Sequence, residues 1–245
     1  MQKRKEESAN IIMPTHIGII MDGNGRWARK RALPHKAGHY QGSQVLKKII
    51  RYCHKIGVKY LTVYAFSTEN WKRPKAEVDA LMKMFGDYLD EASDFYGDNV
   101  RAILIGDKKG LSKELIEKVN KVEKETENFD GMTLCLAINY GGREEIAHSC
   151  REIAKQVKAG KLNIEDITEQ TISDNIYTKG IPDVDLVIRP SGEYRTSNFL
   201  LWQSAYAEYV FMDNLLWPDF TEKDLDKAIL EFSKRNRRFG GLDKE

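Results

Sequence analysis

A carboxylate, two glycines and an arginine stand together in residues 22–27, directly after the apolar run 17–21. An ionised aspartate is a hard oxygen ligand of the kind that Mg²⁺ prefers, and glycines let backbone N–H groups approach phosphate oxygens closely. Arginine adds a fixed positive charge that suits phosphate. The segment therefore predicts a site for a metal ion and a diphosphate at the end of a strand. Its Asp-Gly and Asn-Gly pairs are also strong signals for a β-hairpin, so a plain turn is the alternative.

Strand-like apolar segments alternate with helix-like amphipathic segments along the chain. The pattern predicts strands at 16–21, 59–66, 100–106, 132–138, 184–188 and 208–212. It predicts helices at 38–56, 75–97, 112–127, 142–159, 168–177 and 221–236. This alternation is typical of an α/β fold in a single domain, with a mostly parallel central sheet of about six strands and helices on both faces.

Polar residues follow the predicted strands at the point where each strand ends, as Asp22, Ser67, Asn139 and Arg189 do. Open parallel sheets bind their ligands outside the carboxyl ends of the strands. We therefore expect these residues to converge on one edge of the sheet. Glu208 instead begins its predicted strand. In a parallel sheet it can reach that edge only through a bend or from another subunit.

Four blocks of the sequence resemble the signature regions of the cis-prenyltransferases (Z-isoprenyl diphosphate synthases), most closely the bacterial undecaprenyl diphosphate synthases. The blocks are residues 22–27, 67–74, 139–143 and 189–199. The blocks occur in the family's order, and the resemblance extends from His16 to Gly241, which is nearly the whole chain.

The resemblance implies cis-prenyl chain elongation, in which isopentenyl diphosphate units are condensed onto an allylic diphosphate such as farnesyl diphosphate, with Mg²⁺ as cofactor. The implied product is a long polyprenyl diphosphate, namely undecaprenyl diphosphate for a cell-wall lipid carrier, held in a hydrophobic tunnel while it grows. The resemblance also implies a homodimer that delivers its product to a membrane. The odd number of cysteines, with no C-x-x-C pair, indicates a reducing cytoplasm, and we expect the protein to lie there, peripheral at the inner face of the membrane. The aromatic residues Trp202, Tyr206, Phe211 and Trp217 are expected to supply part of the dimer interface, although a buried strand would explain them as well.

The family's functional residues can be carried over one by one. The resemblance implies Asp22 and Asn70 as catalytic residues, and Asp22 and Glu208 as metal ligands. A carboxamide is a poor base near neutral pH, so we expect Asn70 to orient the alkene or a diphosphate oxygen that accepts the proton. The implied substrate-binding residues are Gly23, Asn24, Gly25, Arg26, Trp27, His35, His39, Ser67, Thr68, Glu69, Trp71, Arg73, Arg189, Arg195, Thr196 and Ser197. The tail 237–241 is a further candidate contributor to a diphosphate site, in this chain or in a partner.

The sequence departs from the family pattern at His35, which occupies the position of a phosphate-binding arginine. An arginine stays protonated, whereas a histidine changes charge near neutral pH. The sequence therefore predicts that affinity for the allylic diphosphate weakens as the pH rises through the histidine range. Tyr40, Gln41, Pro190 and Thr196 also replace other family residues.

An apolar stripe runs along the predicted helix 75–97 and leaves its acidic residues on the solvent side. Periodicity alone predicts core packing for this stripe, and the resemblance implies that part of it forms a wall of the tunnel. Met132 stands where the family has a tunnel-floor residue, and a core methionine is the alternative there.

Two other function classes fit parts of the sequence. Residues 23–28 match the G-x-G-x-x-A fingerprint of an NAD-binding Rossmann oxidoreductase. That fingerprint requires a helix to begin in the segment, and we expect Pro34, Gly38 and Gly42 to prevent it. A non-catalytic prenyltransferase subunit would be expected to lack the Asp22 carboxylate or the arginines, and both are present.

The composition limits the remaining choices. A net charge of +2 over 245 residues gives no sign of nucleic-acid binding. The three cysteines form no C-x-x-C pair, so neither a disulfide framework nor a zinc site is indicated. The first ten residues lack the apolar core of a secretory signal. We expect a flexible N-terminal extension at 1–15, a catalytic domain at 16–241 and a tail at 242–245.

Overall fold

The computed structural model describes residues 11–91 and 98–235. Its strands are β1 His16–Ile20, β2 Tyr60–Ser67, β3 Val100–Ile105, β4 Met132–Tyr140, β5 Leu186–Pro190 and β6 Glu208–Met212. They form one sheet in the order β3-β4-β2-β1-β5-β6, and every neighbouring pair is parallel. The predicted α/β fold with a parallel central sheet is confirmed.

Seven α-helices lie in the described part of the chain. They are α1 Asn24–Lys30, α2 His35–Lys55, α3 Lys75–Asp90, α4 Lys113–Glu125, α5 Gly142–Lys158, α6 Glu169–Ser173 and α7 Glu222–Ser233. Short 3₁₀ helices span Thr68–Lys72, Ile164–Asp166 and Trp217–Asp219. Side chains cap several of the helices. For example, Leu115 N donates a hydrogen bond of 3.1 Å to Ser112 Oγ at the start of α4, which satisfies one of the free N–H groups of the first turn.

Both faces of the sheet are buried. Successive residues of a strand point to opposite faces, and those of β1 belong to two different hydrophobic cores. In β1, Ile17 and Ile19 belong to the larger core, which also contains buried residues of α2, α3, α4 and α7. Ile20 belongs to a smaller core on the other face. Helix α5 contacts this second face, where Tyr140 Oη donates a hydrogen bond of 2.6 Å to Glu145. Burial on both sides explains why the strands are almost continuously apolar.

The segment after β1 differs from the sequence-based expectation, because helix α1 begins there. Gly23 has a φ of 107°, a left-handed conformation that favours glycine, and it turns the chain from the strand into the helix. Pro34 does not break this helix, since it directly precedes His35, the first residue of α2. The hairpin alternative is excluded, because β1 pairs in parallel with β2 and β5.

Helix α1 lies very close to α2, and glycines make the contact. A Cβ added at Gly38 would lie 2.0 Å from the backbone oxygen of Asn24, and one at Gly42 would lie 2.3 Å from Asn24 Oδ1. Both distances are far inside van der Waals contact. The glycine spacing that argued against a helix at 24–30 therefore allows two helices to pack against each other.

The other elements differ from their predicted bounds mainly at the ends. Helix α3 ends at Asp90, and the predicted continuation at 92–97 lies outside the described residues, as does the tail 237–241. Helix α6 is shorter than the predicted helix at 168–177. Thr15 N donates a hydrogen bond of 2.7 Å to Asp185 Oδ2, so part of the expected N-terminal extension contacts the domain. None of the helices in the described ranges has the length and hydrophobicity needed to cross a membrane.

Candidate active site

Asp22 lies just beyond the carboxyl end of β1, surrounded by cationic and hydroxyl groups. Arg189 Nη2 and Ser191 Oγ each donate a hydrogen bond of 2.8 Å to Asp22 Oδ2. Arg26 Nη2 lies 3.2 Å from the same oxygen. Burial opposes ionisation of this carboxyl, but the hydrogen bonds from Arg189 and Ser191 and the charges of both arginines outweigh it and hold the pKa of Asp22 below its ordinary value. Asp22 is therefore a stable anion in a cationic environment.

Arg189 belongs to β5, and the loop that follows β5 fixes its guanidinium. The side chain is only 4% exposed, and Nη1 donates a hydrogen bond of 2.8 Å to Ser197 Oγ. Ser197 and Asn198 have φ values of 50° and 65°, which are uncommon for residues other than glycine. Arg189 Nε is buried and has no hydrogen-bond partner among the described residues. An unsatisfied buried donor is costly, so this atom fits a site that receives an anion.

The loop after β2 carries Asn70, whose side chain is partly used by the fold. Asn70 Oδ1 accepts a hydrogen bond of 3.0 Å from Ser67 N, within a capping box of the 3₁₀ helix. The carboxamide oxygen is therefore engaged, and the NH₂ group is the part that can meet a ligand. Trp71 Nε1 donates a hydrogen bond of 2.7 Å to Asn139 Oδ1, which ties the loop to the end of β4.

A second polar cluster joins α2 to α3. Arg73 Nη1 donates a hydrogen bond of 2.8 Å to Glu77 Oε1, and His35 Nδ1 lies 3.5 Å from the same oxygen. The rings of His35 and His39 meet edge to face, with centroids 5.1 Å apart. Burial, assisted by the charges of His35 and Arg73, lowers the pKa of His39 to about 4. His39 is therefore a neutral imidazole at neutral pH.

A cavity of about 1000 Å³ opens beside Asp22 and continues into the apolar core. This volume is at the upper end of the range for small-molecule sites, about 300–1,000 Å³. The apolar part is lined by Leu46, Leu81, Met84, Phe85, Tyr88, Leu89, Leu136 and Ile138. Glu77 and Leu89 both line it and lie about 18 Å apart along α3, at about 1.5 Å per residue. The cavity thus joins a polar mouth to an apolar tunnel.

Most of the predicted site residues line this cavity. They are Asp22, Gly23, Asn24, Gly25, Arg26, His35, His39, Ser67, Glu69, Asn70, Arg73, Arg189 and Ser197. Trp27, Thr68, Trp71, Arg195 and Thr196 are not among the lining residues that the structure describes. Trp27 Nε1 donates a hydrogen bond of 2.7 Å to Asp219 Oδ1, and Arg31 stacks on its ring. This pairing attaches α1 to the 3₁₀ helix Trp217–Asp219.

Glu208 lies at the amino ends of the parallel strands, whereas Asp22 lies beyond their carboxyl ends. It pairs with Leu186 at the start of β5, whereas Arg189 lies near the end of that strand. Glu208 Oε2 accepts a hydrogen bond of 2.9 Å from Arg235 Nη1. No bend brings Glu208 to the site, so a metal site that joins it to Asp22 within one chain is excluded. A contribution of Glu208 from another subunit stays a prediction.

Two other residues are buried in the core, a role that the sequence had left open as the alternative for each. Met132 is buried at the first position of β4 and is not among the described residues that line the cavity, which favours its core alternative over a tunnel floor. Trp217 is 1% exposed and donates a hydrogen bond of 2.9 Å to the backbone oxygen of Gly42. It is therefore a core residue and not part of a dimer surface.

Asn198 is a site residue that the sequence did not single out. Its Nδ2 donates a hydrogen bond of 2.9 Å to Glu69 Oε1, and its Oδ1 accepts one of 2.9 Å from Arg143 N. It thereby connects three of the signature blocks. The sequence signal that could have identified Asn198 is the tolerance of asparagine for left-handed φ values. Arg29 and Ser43 also line the cavity.

The parallel sheet, the anionic and cationic pair at its carboxyl edge and the apolar tunnel define a protein that binds a charged head group and a long apolar tail. Residues 20–240 match the family model described as putative undecaprenyl diphosphate synthase. The chain is 49% identical to an isoprenyl transferase of Clostridium perfringens (strain 13 / Type A), over 98% of this chain and 97% of that protein.

Two further proteins are similar to this chain. One is the ditrans,polycis-undecaprenyl-diphosphate synthase ((2E,6E)-farnesyl-diphosphate specific) of Pasteurella multocida (strain Pm70), which is 47% identical over 94% of this chain and 96% of that one. The other is the crystal structure of lavandulyl diphosphate synthase from Lavandula x intermedia in complex with dimethylallyl diphosphate. It superposes with a TM-score of 0.89 at 38% identity, covering 93% of this chain and 98% of that one. The chain belongs to this prenyltransferase family, which uses prenyl diphosphates as substrates.

Proposed function

We propose that the protein elongates an allylic diphosphate, farnesyl diphosphate, by successive cis condensations with isopentenyl diphosphate, and that the product is undecaprenyl diphosphate for a cell-wall lipid carrier. The observation that carries this proposal is the cavity of about 1000 Å³, which begins at Asp22 and Arg189 and ends among apolar side chains of α3 and β4. The name of the Pasteurella multocida relative supports the same substrate and product.

Asp22 is the proposed ligand of a divalent metal ion, Mg²⁺. Prenyltransferases of this family are metal-dependent. Mg²⁺ usually binds proteins through one or two carboxylates and completes its coordination with substrate phosphates and water. A single ionised carboxylate beside cationic, phosphate-binding groups fits that pattern. When bound, the ion would neutralise charge that develops on the leaving diphosphate.

The chain's own residues would stabilise the departure of that diphosphate. In each condensation the bond from C1 to the diphosphate oxygen breaks, the double bond of isopentenyl diphosphate forms the new carbon–carbon bond, and a proton is lost to give the cis alkene. Arg26 and the backbone N–H groups at the start of α1 lie where they can bind the leaving group. Such preorganised donors stabilise the transition state more than the ground state.

Arg189, Ser197 and Arg195 are the proposed holders of the isopentenyl diphosphate. Arg189 is held by Asp22 and Ser197, and its buried Nε offers one more donor to an anion. Arg195 is largely exposed and pairs with Glu193, so it can turn towards a bound diphosphate. Asn70 would orient the alkene or a phosphate oxygen, because its own oxygen is occupied by Ser67 N.

The tunnel would retain intermediates between condensations. Burial of a CH₂ group is worth about 0.8 kcal/mol, so a five-carbon unit adds about 4 kcal/mol to the binding of the growing chain. Release therefore becomes slower with each unit until the tunnel is filled. This accounts for a long product without any change in the reaction chemistry.

A homodimer is proposed on the edge of the sheet formed by β6. Tyr209 and Phe211 stack there with ring centroids 5.9 Å apart, and Tyr194 packs against Phe211 in a tilted arrangement with centroids 5.4 Å apart. Tyr206 nearby is 64% exposed. Light scattering at micromolar concentration tests the proposal, and a monomeric mass would oppose it.

Incubation of the purified chain with farnesyl diphosphate, isopentenyl diphosphate and Mg²⁺ tests the function directly. We expect a ladder of intermediates that ends in one long product, and loss of all products when the metal is chelated. Chromatography of the dephosphorylated products against cis-polyprenol standards gives the chain length. A product that contains a single isopentenyl unit, or activity that survives chelation, would contradict the proposal. A product that partitions into added vesicles would support delivery to a membrane.

A further inference from the structure

Two histidines and a glutamate converge at the mouth of the cavity, on elements other than the strand that precedes Asp22. His35 is the first residue of α2 and His39 lies one turn later, so their rings share one face of the helix. Glu77 faces them from α3. Each of the three offers one ligand atom, and these atoms all lie within 4.8 Å of one another. Within the described ranges this is the one group of three or more His, Cys, Asp or Glu side chains that could hold a metal ion.

The ligand types in this cluster differ from those around Asp22. Two imidazoles and a carboxylate form a set that suits Zn²⁺ and similar borderline cations. Oxygen ligands alone, as at Asp22, suit Mg²⁺. The two sites would therefore select different ions.

The polar atoms of the cluster are incompletely satisfied by the protein. His39 Nε2 is buried and has no hydrogen-bond partner among the described residues. A neutral imidazole nitrogen is a common metal ligand, so an unpaired ring nitrogen in a buried position beside a carboxylate is a group that a metal ion would use.

We propose that His35, His39 and Glu77 bind one Zn²⁺ ion at a second metal site of the protein. Three protein ligands leave a fourth coordination position open in a tetrahedral site. The cation supplies positive charge at the mouth of the cavity, where His35 stands in place of an arginine. An effect of this ion on the allylic diphosphate rests on the proposed function, whereas the binding of the ion itself does not.

Arg73 is expected to weaken the binding of the metal ion, so a variant that lacks it tests the proposal by a gain of affinity. Its Nη1 donates a hydrogen bond of 2.8 Å to Glu77 Oε1, and its charge repels a cation nearby. Removal of this side chain frees Glu77 and removes the repulsion. The variant Arg73→Leu is therefore expected to bind Zn²⁺ more tightly than the parent chain does.

Titration of Zn²⁺ alone into the metal-free full chain, followed by calorimetry, tests the site. The protein used for the titration lacks a histidine tag and carries the substitution Cys150→Ser, because Cys150 is an exposed thiol that could bind zinc. We expect one ion per chain and at least about tenfold weaker binding in His35→Gln, His39→Gln and Glu77→Gln, by comparison with the losses that follow changes around metal ligands. His148→Gln, on α5, is the matched control and is expected to bind as the parent does.

Thermal unfolding with and without Zn²⁺ provides a second measurement, because an ion that binds the native chain raises its midpoint. The parent is expected to shift and His35→Gln is not. The side chain of His35 is 50% exposed, so this variant decides the matter if His39→Gln does not fold. Absence of a Zn²⁺ isotherm, or equal weakening in His148→Gln, would overturn the proposal. No substrate is present, so a failure of the elongation assay leaves this outcome unaffected.

Discussion

Arg189 Nη2 donates a hydrogen bond of 2.8 Å to Asp22 Oδ2 across the neighbouring strands β5 and β1. The hydrogen bond and charge of Arg189 help to keep Asp22 ionised in a partly buried place, where burial alone would raise the pKa of the carboxyl. In the proposed function the metal ion and the isopentenyl diphosphate would use these same two side chains. A diphosphate that draws Arg189 away frees Asp22 for the metal. We therefore expect the two ligands to strengthen each other's binding.

Asp22→Asn tests the carboxylate without changing its size. Turnover is expected to fall by at least about a hundredfold, the scale of losing one group that stabilises transition-state charge. Product formed per second at saturating substrates and metal is the measurement. Glu193→Gln is the control, since Glu193 also pairs with Arg26 but has no proposed metal. Equal losses in both variants would show a general effect of charge.

Substitutions on α3 should control the length of the product. Met84 and Leu89 both line the cavity, and Met84 lies about five residues nearer to Glu77 in the helix, or about 7 Å. Met84→Trp is therefore expected to give shorter products than Leu89→Trp, and both shorter than the parent. Mass spectrometry of the dephosphorylated products measures the length.

Met132→Leu is the control for these length variants, because Met132 is buried outside the cavity lining and a volume-conserving change there should leave the product unchanged. Unfolding midpoints are recorded for all variants, since overpacking costs about 1–3 kcal/mol. Products of parental length from Met84→Trp would refute this path for the chain.

His16 should make the stability of the protein depend on pH. Its Nδ1 donates a hydrogen bond of 2.7 Å to the backbone oxygen of Pro182, and its Nε2 accepts a hydrogen bond of 2.7 Å from Thr62 Oγ1. Burial lowers the pKa of His16, against the opposing effects of the Pro182 oxygen and Asp185. The imidazole therefore binds a proton more readily in the unfolded chain than in the native one. The contribution of neutral His16 to the free energy of unfolding is fully present above about pH 6.5 and is lost as the pH falls towards the lowered pKa.

Urea unfolding between about pH 8 and pH 5 measures this effect as a slope. His16→Gln is expected to be less stable at every pH, because two buried hydrogen bonds are disturbed, but to show a shallower slope than the parent. Parallel curves for the two proteins would assign the pH dependence to other groups.

Gly38→Ala should destabilise the contact between α1 and α2. Its new Cβ would lie 2.0 Å from a backbone oxygen, and we expect a loss of about 1–3 kcal/mol in the free energy of unfolding. Gly86→Ala, in α3, is the matched control, because the nearest atom to its Cβ is the flexible end of Lys118 at 3.5 Å. There alanine should stabilise the helix by up to about 1 kcal/mol.

The sheet and the polar edge could be predicted because both depend on local sequence. The alternation of short apolar segments with amphipathic segments identified the six strands, and parallel pairing then brought Asp22, Ser67, Asn139 and Arg189 to one edge. The inference that Glu208 begins a parallel strand was also correct, and it implied the distance from Asp22 that the structure shows.

The remaining features depend on three-dimensional packing that periodicity does not contain. Helix α1 was missed because Pro34, Gly38 and Gly42 argued against a helix there, whereas Gly23, with its positive φ, turns the chain into a short helix that ends before Pro34. The tunnel was not separable from the core, since Met132 and Leu136 have the same hydrophobic character and only the second lines the cavity in the described structure. The convergence of His35, His39 and Glu77 requires the relative placement of α2 and α3.

Helix α3 links the polar mouth of the cavity to its apolar depth, since Glu77 lies near its start and Leu89 near its end. Residues that bind the head group and residues that meet the far end of the hydrocarbon tail are thus separated by several helical turns. Changes at one end need not disturb the other. In the proposed function, single substitutions in α3 are therefore expected to give descendant enzymes with shorter or longer products, while the bond-forming chemistry is inherited intact.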